Sequence, residues 1–119
     1  MDVNAPFLTY RHPVAGEMSL TVTGNAVRLC CRWPFDRSTD EWIAIDNEFE
    51  REEYRRSLLE LPKAGTVRIK GRNAGYVEFT VLAEDEVKID LRDNAAERPT
   101  RLVCTLRLSA RDFLPEGQQ

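Results

Sequence analysis

The sequence predicts an α+β domain: a mostly antiparallel sheet of roughly six to seven strands with one central helix packed on its apolar face. Three observations lead there. Apolar and polar residues alternate along most of the chain, as in Met18, Leu20 and Val22 against Ser19, Thr21 and Thr23. A single long stretch, Asn47 to Leu61, instead spaces its apolar residues at helical intervals. Polar turn pairs, Gly24-Asn25 and Glu84-Asp85, separate alternating runs closely enough for hairpins. Clean one-sided alternation means that one face of the sheet is packed and the other wet. A sheet of this many strands can also curl toward a half-barrel around its core.

Residues 1 to 17 hold Pro6, Pro13 and Gly16 without a sustained period and read as an irregular arm, with one short extended piece at Phe7-Leu8-Thr9-Tyr10. The first strand then runs from Met18, turns at Gly24-Asn25, and returns as Val27, Leu29, Cys31 and Trp33 alternating with Arg28, Cys30 and Arg32. Pro34 ends the hairpin, and Phe35 to Glu41 is a polar loop. Trp42-Ile43-Ala44-Ile45 is a short apolar run, read as a strand buried on both sides.

The helix is expected from Asn47, whose side-chain oxygen can cap it, with Glu50 three residues on as the second half of a capping box. Glu48, Glu50, Glu52 and Glu53 crowd the first turns, where the helix dipole favours acids. Tyr54, Leu58 and Leu61 form one apolar stripe, and Pro62 is expected to stop the helix.

An antiparallel meander follows. Val67 and Ile69 alternate with Arg68 and Lys70, then a hairpin loop spans Gly71 to Gly75. Val77, Phe79 and Val81 alternate next, and Val87, Ile89 and Leu91 after the Glu84-Asp85 turn. After a loop from Asp93 to Thr100, the last strand places Leu102, Cys104, Leu106 and Leu108 opposite Arg101, Val103, Thr105 and Arg107. Ser109 and Asp112 make an S-x-x-D cap before Phe113-Leu114, and residues 115 to 119 should fray.

At 119 residues the chain makes one domain, 1–119, with 42% hydrophobic and 31% charged residues. No apolar run reaches the roughly 18 residues of a membrane span. Met1 to Pro6 lacks the basic-then-apolar pattern of a secretory signal, so a cytoplasmic location is expected. Cys30 and Cys31 are adjacent and should point to opposite faces of a strand, which prevents joint chelation; one of them could pair with Cys104, but small buried thiols are the plainer reading. His12 is the only histidine and has no companion ligand. There is no phosphate loop, nucleophile elbow, H-E-x-x-H or C-x-x-C, and Glu52-Glu53 diverge on a helix, so neither an enzyme nor a cofactor is expected.

The charges are unevenly spread over a formal net charge of -3. Outward strand positions carry Arg28, Arg32, Arg68, Lys70, Arg72, Lys88, Arg92, Arg101 and Arg107 against Glu78 and Asp90. If these strands share a sheet, its wet face is basic. Base stacking would need aromatics there, and Tyr76 is the nearest, at a hairpin edge, so nucleic-acid binding is the secondary expectation. The stretch from Asp36 to Glu60 is acidic. Its candidate partner-binding residues are Asp36, Asp40, Glu41, Glu48, Glu52 and Glu53, with Arg51 and Arg55 as orienting charges.

The order of elements from Trp42 onward resembles the WapI-type immunity proteins of bacterial polymorphic toxin systems. The residues that carry the resemblance are Asp40-Glu41-Trp42-Ile43-Ala44-Ile45, the helix Phe49 to Leu61, Gly75-Tyr76-Val77-Glu78-Phe79, and the close from Leu102 to Leu114. The resemblance implies a protein that binds and neutralises a cognate toxin and brings no catalytic residues with it; the expected mode of inhibition is occlusion of the toxin's active site. On that reading the acidic surface docks on a basic toxin. The alternative expectation is a module that binds nucleic acid or an acidic partner through the basic sheet face.

Overall fold

The computed structural model describes residues 6–11, 16–34, 42–72, 75–93 and 100–115. The expected polar loop Phe35–Glu41 with its Asp36, Asp40 and Glu41, the parts of the expected arm at 1–5 and 12–15 with His12, and the extreme C-terminal tail lie outside them.

Among the described residues eight strands form two antiparallel sheets in place of the single sheet of six to seven. The first contains β1 (Leu8–Arg11), β2 (Glu17–Thr23), β3 (Ala26–Pro34) and β4 (Trp42–Glu50). Helix α1 (Arg51–Ala64) follows, and then the second sheet: β5 (Thr66–Lys70), β6 (Gly75–Ala83), β7 (Glu86–Asp93) and β8 (Thr100–Leu106). Each sheet is a plain meander with strands in sequence order, and neither closes into a barrel. Inserting a helix between β4 and β5 is what divides them. The short extended piece expected at Phe7 to Tyr10 is real: β1 pairs with β2 through Leu8↔Leu20 and Tyr10↔Met18.

Alternation is obeyed in both sheets. Met18, Leu20, Val27, Leu29, Cys31, Ile45 and Phe49 from the first meet Ile69, Val77, Phe79, Ile89, Leu91 and Leu106 from the second in one buried cluster. Tyr54, Leu58 and Leu61 add the apolar face of α1, as their spacing predicts. Burying side chains of this size contributes about 1.5–3 kcal/mol apiece. Tyr54 meets the edge of the Phe79 ring at 6.2 Å between centroids, and Phe79 meets Phe113 at 5.2 Å. The Tyr54 hydroxyl donates to the Phe113 carbonyl at 2.6 Å, tying α1 to the short 3-10 turn Ala110–Phe113. Ser109 and Asp112 form the expected cap of that turn, with the Ser109 N–H donating to Asp112 Oδ2 at 2.8 Å.

The helix begins later than expected. Asn47, Glu48 and Phe49 continue β4, whose register with β3 runs to Ala26↔Glu50. The reason is the strand period Ile45-x-Asn47-x-Phe49, which puts all three side chains into the interior. Glu50 is the true N-cap: its carboxylate accepts the Glu53 N–H at 2.8 Å. Pro62 does not stop the helix, which runs two residues further. A proline there removes only one bond of the last turn. The stop falls at Gly65, whose φ of 79 lies in the left-handed region that favours glycine and whose N–H donates to Leu61 O at 2.9 Å.

Asn47 joins the two sheets. It is buried, its Oδ1 accepts the Glu48 N–H at 2.9 Å, and its amide lies against the backbones of Gly71 and Gly75 at the base of the β5–β6 hairpin. A Cβ on Gly71 would come within 2.5 Å of Asn47 Nδ2. The N–H of Arg72 donates to the Glu48 carbonyl at 2.8 Å, so the hairpin base hydrogen-bonds directly to β4.

Candidate functional site

Two four-stranded sheets share one core, so the molecule has two outer sheet faces, and the basic residues expected on one sheet divide between them. Arg28 and Arg32 belong to the first sheet; Arg68, Lys70, Lys88, Arg92 and Arg101 belong to the second.

On the first sheet opposite charges meet. Arg28 Nε donates to both Asp46 oxygens at 2.9 and 3.0 Å, and Arg28 is also in register with Glu48. Hydrogen bonding from Arg28 holds the Asp46 carboxyl below its ordinary pKa against the opposing effect of burial. Glu17 sits in register with Arg11 on one side and Arg32 on the other. Arg72 reaches Glu48 at 3.9 Å. Cations and carboxylates interleave across this face.

The second sheet is different because its register aligns like charges. Lys70 pairs with Tyr76, Tyr76 with Arg92, and Arg92 with Arg101, giving one row that crosses all four strands. At about 4.8 Å between strands the row is roughly 14 Å long. The next row is Arg68, Glu78, Asp90 and Val103; the one beyond is Thr66, Thr80, Lys88 and Thr105. Arg68 holds Glu78 at 2.9 Å, and Arg101 grips Asp90 with two bonds of 2.9 and 2.7 Å. Arg101 bonding, reinforced by the nearby Arg92 and Arg68, keeps the Asp90 carboxyl below its usual range despite burial. Both carboxylates of that row are thereby committed. Lys70, Lys88 and Arg92 form no ion pair among the described residues. Tyr76 stands on this outward face, not merely at the hairpin edge, and two guanidinium groups lie over its ring, Arg68 at 4.1 Å and Arg92 at 5.8 Å.

The acidic candidates are dispersed by comparison. Glu48 lies on the outer face of the first sheet beside Arg72. Glu52 and Glu53 stand in the first turn of α1, with Arg55 reaching Glu52 at 3.4 Å. Arg51 turns to the Gly24 carbonyl at 3.4 Å. The structure therefore brings Glu52 and Arg55 together, and it spends Glu50, which was expected inside the helix, as the cap. The row Lys70–Tyr76–Arg92–Arg101 was not visible in the sequence, because β5, β6, β7 and β8 contribute one residue each and only pairing register aligns them.

Two further features bear on chemistry. Cys31 and Cys104 face the interior, where burial pushes their thiols up, Cys104 to about 11. Cys30 is half-buried on the outer face of the first sheet and is raised as well, by burial first and then by Asp46. As expected for neighbours on a strand, Cys30 and Cys31 point apart, and all three sulfurs are free thiols. A groove of about 570 Å³ between α1 and the C-terminal turn is lined by Leu58, Leu59, Pro62, Val81 and Leu114 with Glu84 and Arg111 at its rim. Ser109 also lines it, its hydroxyl donating to Asp112 Oδ2 at 3.1 Å within the cap of the C-terminal turn. Among the described residues no group of three or more histidine, cysteine or acidic side chains could hold a metal ion. Among the described residues no helix is long and apolar enough to cross a membrane.

Compared with protein-family models, curated proteins and solved structures, the chain matches none of them.

Proposed function

We propose that this chain is a non-catalytic binding module that recognises an acidic macromolecular partner through the outer face of its second sheet. The observation that carries this reading is the in-register row of Lys70, Tyr76, Arg92 and Arg101, bordered by carboxylates that are already paired. Cations fixed in a row on a rigid sheet accelerate encounter with an anionic surface and set its orientation. The acidic stretch expected to dock on a toxin has weaker support. Of its described candidate carboxylates, Glu48 and Glu52 already face an arginine, and Glu53 alone forms no ion pair among the described residues. A toxin-neutralising role of the kind implied by the resemblance would then act through the basic face, on an acidic target.

Single-stranded nucleic acid is the second reading, favoured by the place of the half-buried Tyr76 on the outer face of a basic sheet. Against it, a base could stack on Tyr76 only by displacing the guanidinium of Arg68.

The test is titration of the full chain against a labelled polyglutamate and a labelled single-stranded oligonucleotide at low ionic strength. Polyglutamate should bind, weaken as salt is added, and lose at least about tenfold in affinity with the Lys70→Glu/Arg92→Glu variant. Absence of binding by either anion, or unchanged binding by the double variant, would overturn the reading.

A further inference from the structure

The four sheet edges are not alike. β1 is only four residues long. The edge of β4 is met by the hairpin base, through the Arg72 N–H to the Glu48 carbonyl. β5 is packed against α1, and Glu53, Arg56, Ser57, Glu60, Val67 and Arg68 line the groove between them. β8 is seven residues long, and among the described residues no strand or helix pairs with its outer edge. Just beyond it, the Arg107 N–H donates to the Tyr10 hydroxyl at 3.3 Å.

An open edge presents unpaired N–H and C=O groups at alternate residues, a template for another strand. Natural sheets commonly guard such an edge with proline, an inward charge or a bulge. β8 has none of these: its inward residues are Leu102, Cys104 and Leu106, and its pairing with β7 is continuous from Thr100 to Leu106. Its outward residues are Arg101, Val103 and Thr105, with Arg107 following. Val103 is 49% exposed, a β-branched side chain suited to cross-strand packing. Of the flanking arginines Arg101 is held by Asp90, while Arg107 forms no ion pair among the described residues and so repels a basic strand and attracts an acidic one. Lys88 and Arg92 stand one strand further in, opposite Thr105 and Arg101.

We infer that the partner is an extended acidic segment of another protein that adds to β8 as a further strand of the second sheet. This rests on the reading of that sheet's outer face as the binding face and names its occupant. Main-chain bonds along β8 supply pairing that a nucleic acid cannot reproduce, and the cation row reads the acidic side chains.

The probe is a peptide of roughly eight to ten residues, long enough to cover β8, alternating Glu with Val and Thr. Two further versions are N-methylated at alternate residues in the two possible phases, which removes backbone donors and leaves charge unchanged. The parent peptide should bind the full chain, one methylated phase should lose at least about tenfold in affinity, and the amides of β8 should gain hydrogen-exchange protection in the complex. Equal binding by all three peptides overturns strand addition while leaving the basic face as the binding site. Binding of the oligonucleotide but of no peptide overturns the choice of partner. If neither peptides nor polyglutamate bind at low salt, the basic-face reading falls too. Because the decisive change is made in the peptide, the result does not depend on a variant that folds poorly.

Discussion

The two sheets are built on one plan, four antiparallel strands in sequence order with one face turned into a common core, yet their outer faces carry charge in opposite ways. On the first sheet Arg28 meets Asp46, and Glu17 lies between Arg11 and Arg32. On the second, Lys70, Arg92 and Arg101 fall in one row around Tyr76, and the acids of the next row are held by arginines. Strand alternation alone cannot separate these cases, since both faces read as polar positions every second residue. Register separates them. A strand shifted by two residues would keep its core intact and rearrange every charge pair on its surface.

The comparison breaks most completely where the sheets are joined. Gly75 packs so closely on the Arg92 carbonyl and the Asn47 amide that an added Cβ would overlap the backbone. Gly75→Ala should therefore cost at least about 3 kcal/mol and lower the thermal midpoint by roughly 10 °C or more. Thr21→Ala, on the outer face of the first sheet, should stay within about 0.5 kcal/mol of the parent. Calorimetry of the two variants checks both, and a Gly75 variant as stable as the parent would mean that the hairpin base is not held against β7 and Asn47 as described.

A smaller break is available at the end of the second sheet. Tyr54→Phe removes the hydroxyl that serves the Phe113 carbonyl and keeps the ring that packs on Phe79. The expected cost is about 1–3 kcal/mol, the penalty for stranding a buried acceptor. Denaturant unfolding would show it as a lower midpoint with an unchanged slope.

Much of this architecture was legible in the residues. The Gly24-Asn25 and Glu84-Asp85 hairpins, the inward sets of β2, β3, β7 and β8, and the buried stripe of α1 follow from period and turn chemistry. Three features did not. Asn47 looks like a helix cap because asparagine with Glu50 three residues on fits that motif, but Ile45 and Phe49 draw it into a strand, where two glycines leave it room. The division into two sheets depends on which strands α1 keeps apart, and local pattern carries no record of that. The candidate site was half visible: its residue types and outward direction were, but the row itself needs three inter-strand registers, and a shift in any one would dissolve it.

The finest difference between the faces concerns acid. Asp90 and Asp46 are each held below the usual carboxylate range by an arginine, Arg101 and Arg28 respectively. A depressed folded-state pKa adds stability above the unfolded value of about 3.9 and loses it as pH falls through the folded value. Both pairs should therefore weaken below about pH 4. They should not weaken equally, because the Asp90 side chain is 8% exposed and that of Asp46 45%. Solvent screens the second pair far more. Asp90→Asn should lower the thermal midpoint near neutrality and converge with the parent in acid, whereas Asp46→Asn should show the same trend with a smaller amplitude. Thermal unfolding across pH 2.5 to 7, roughly the span over which an aspartate changes charge, distinguishes them. Equal amplitudes would mean that the second sheet's outer face is as open to water as the first, and that its carboxylates are not the fixed border on which the cation row depends.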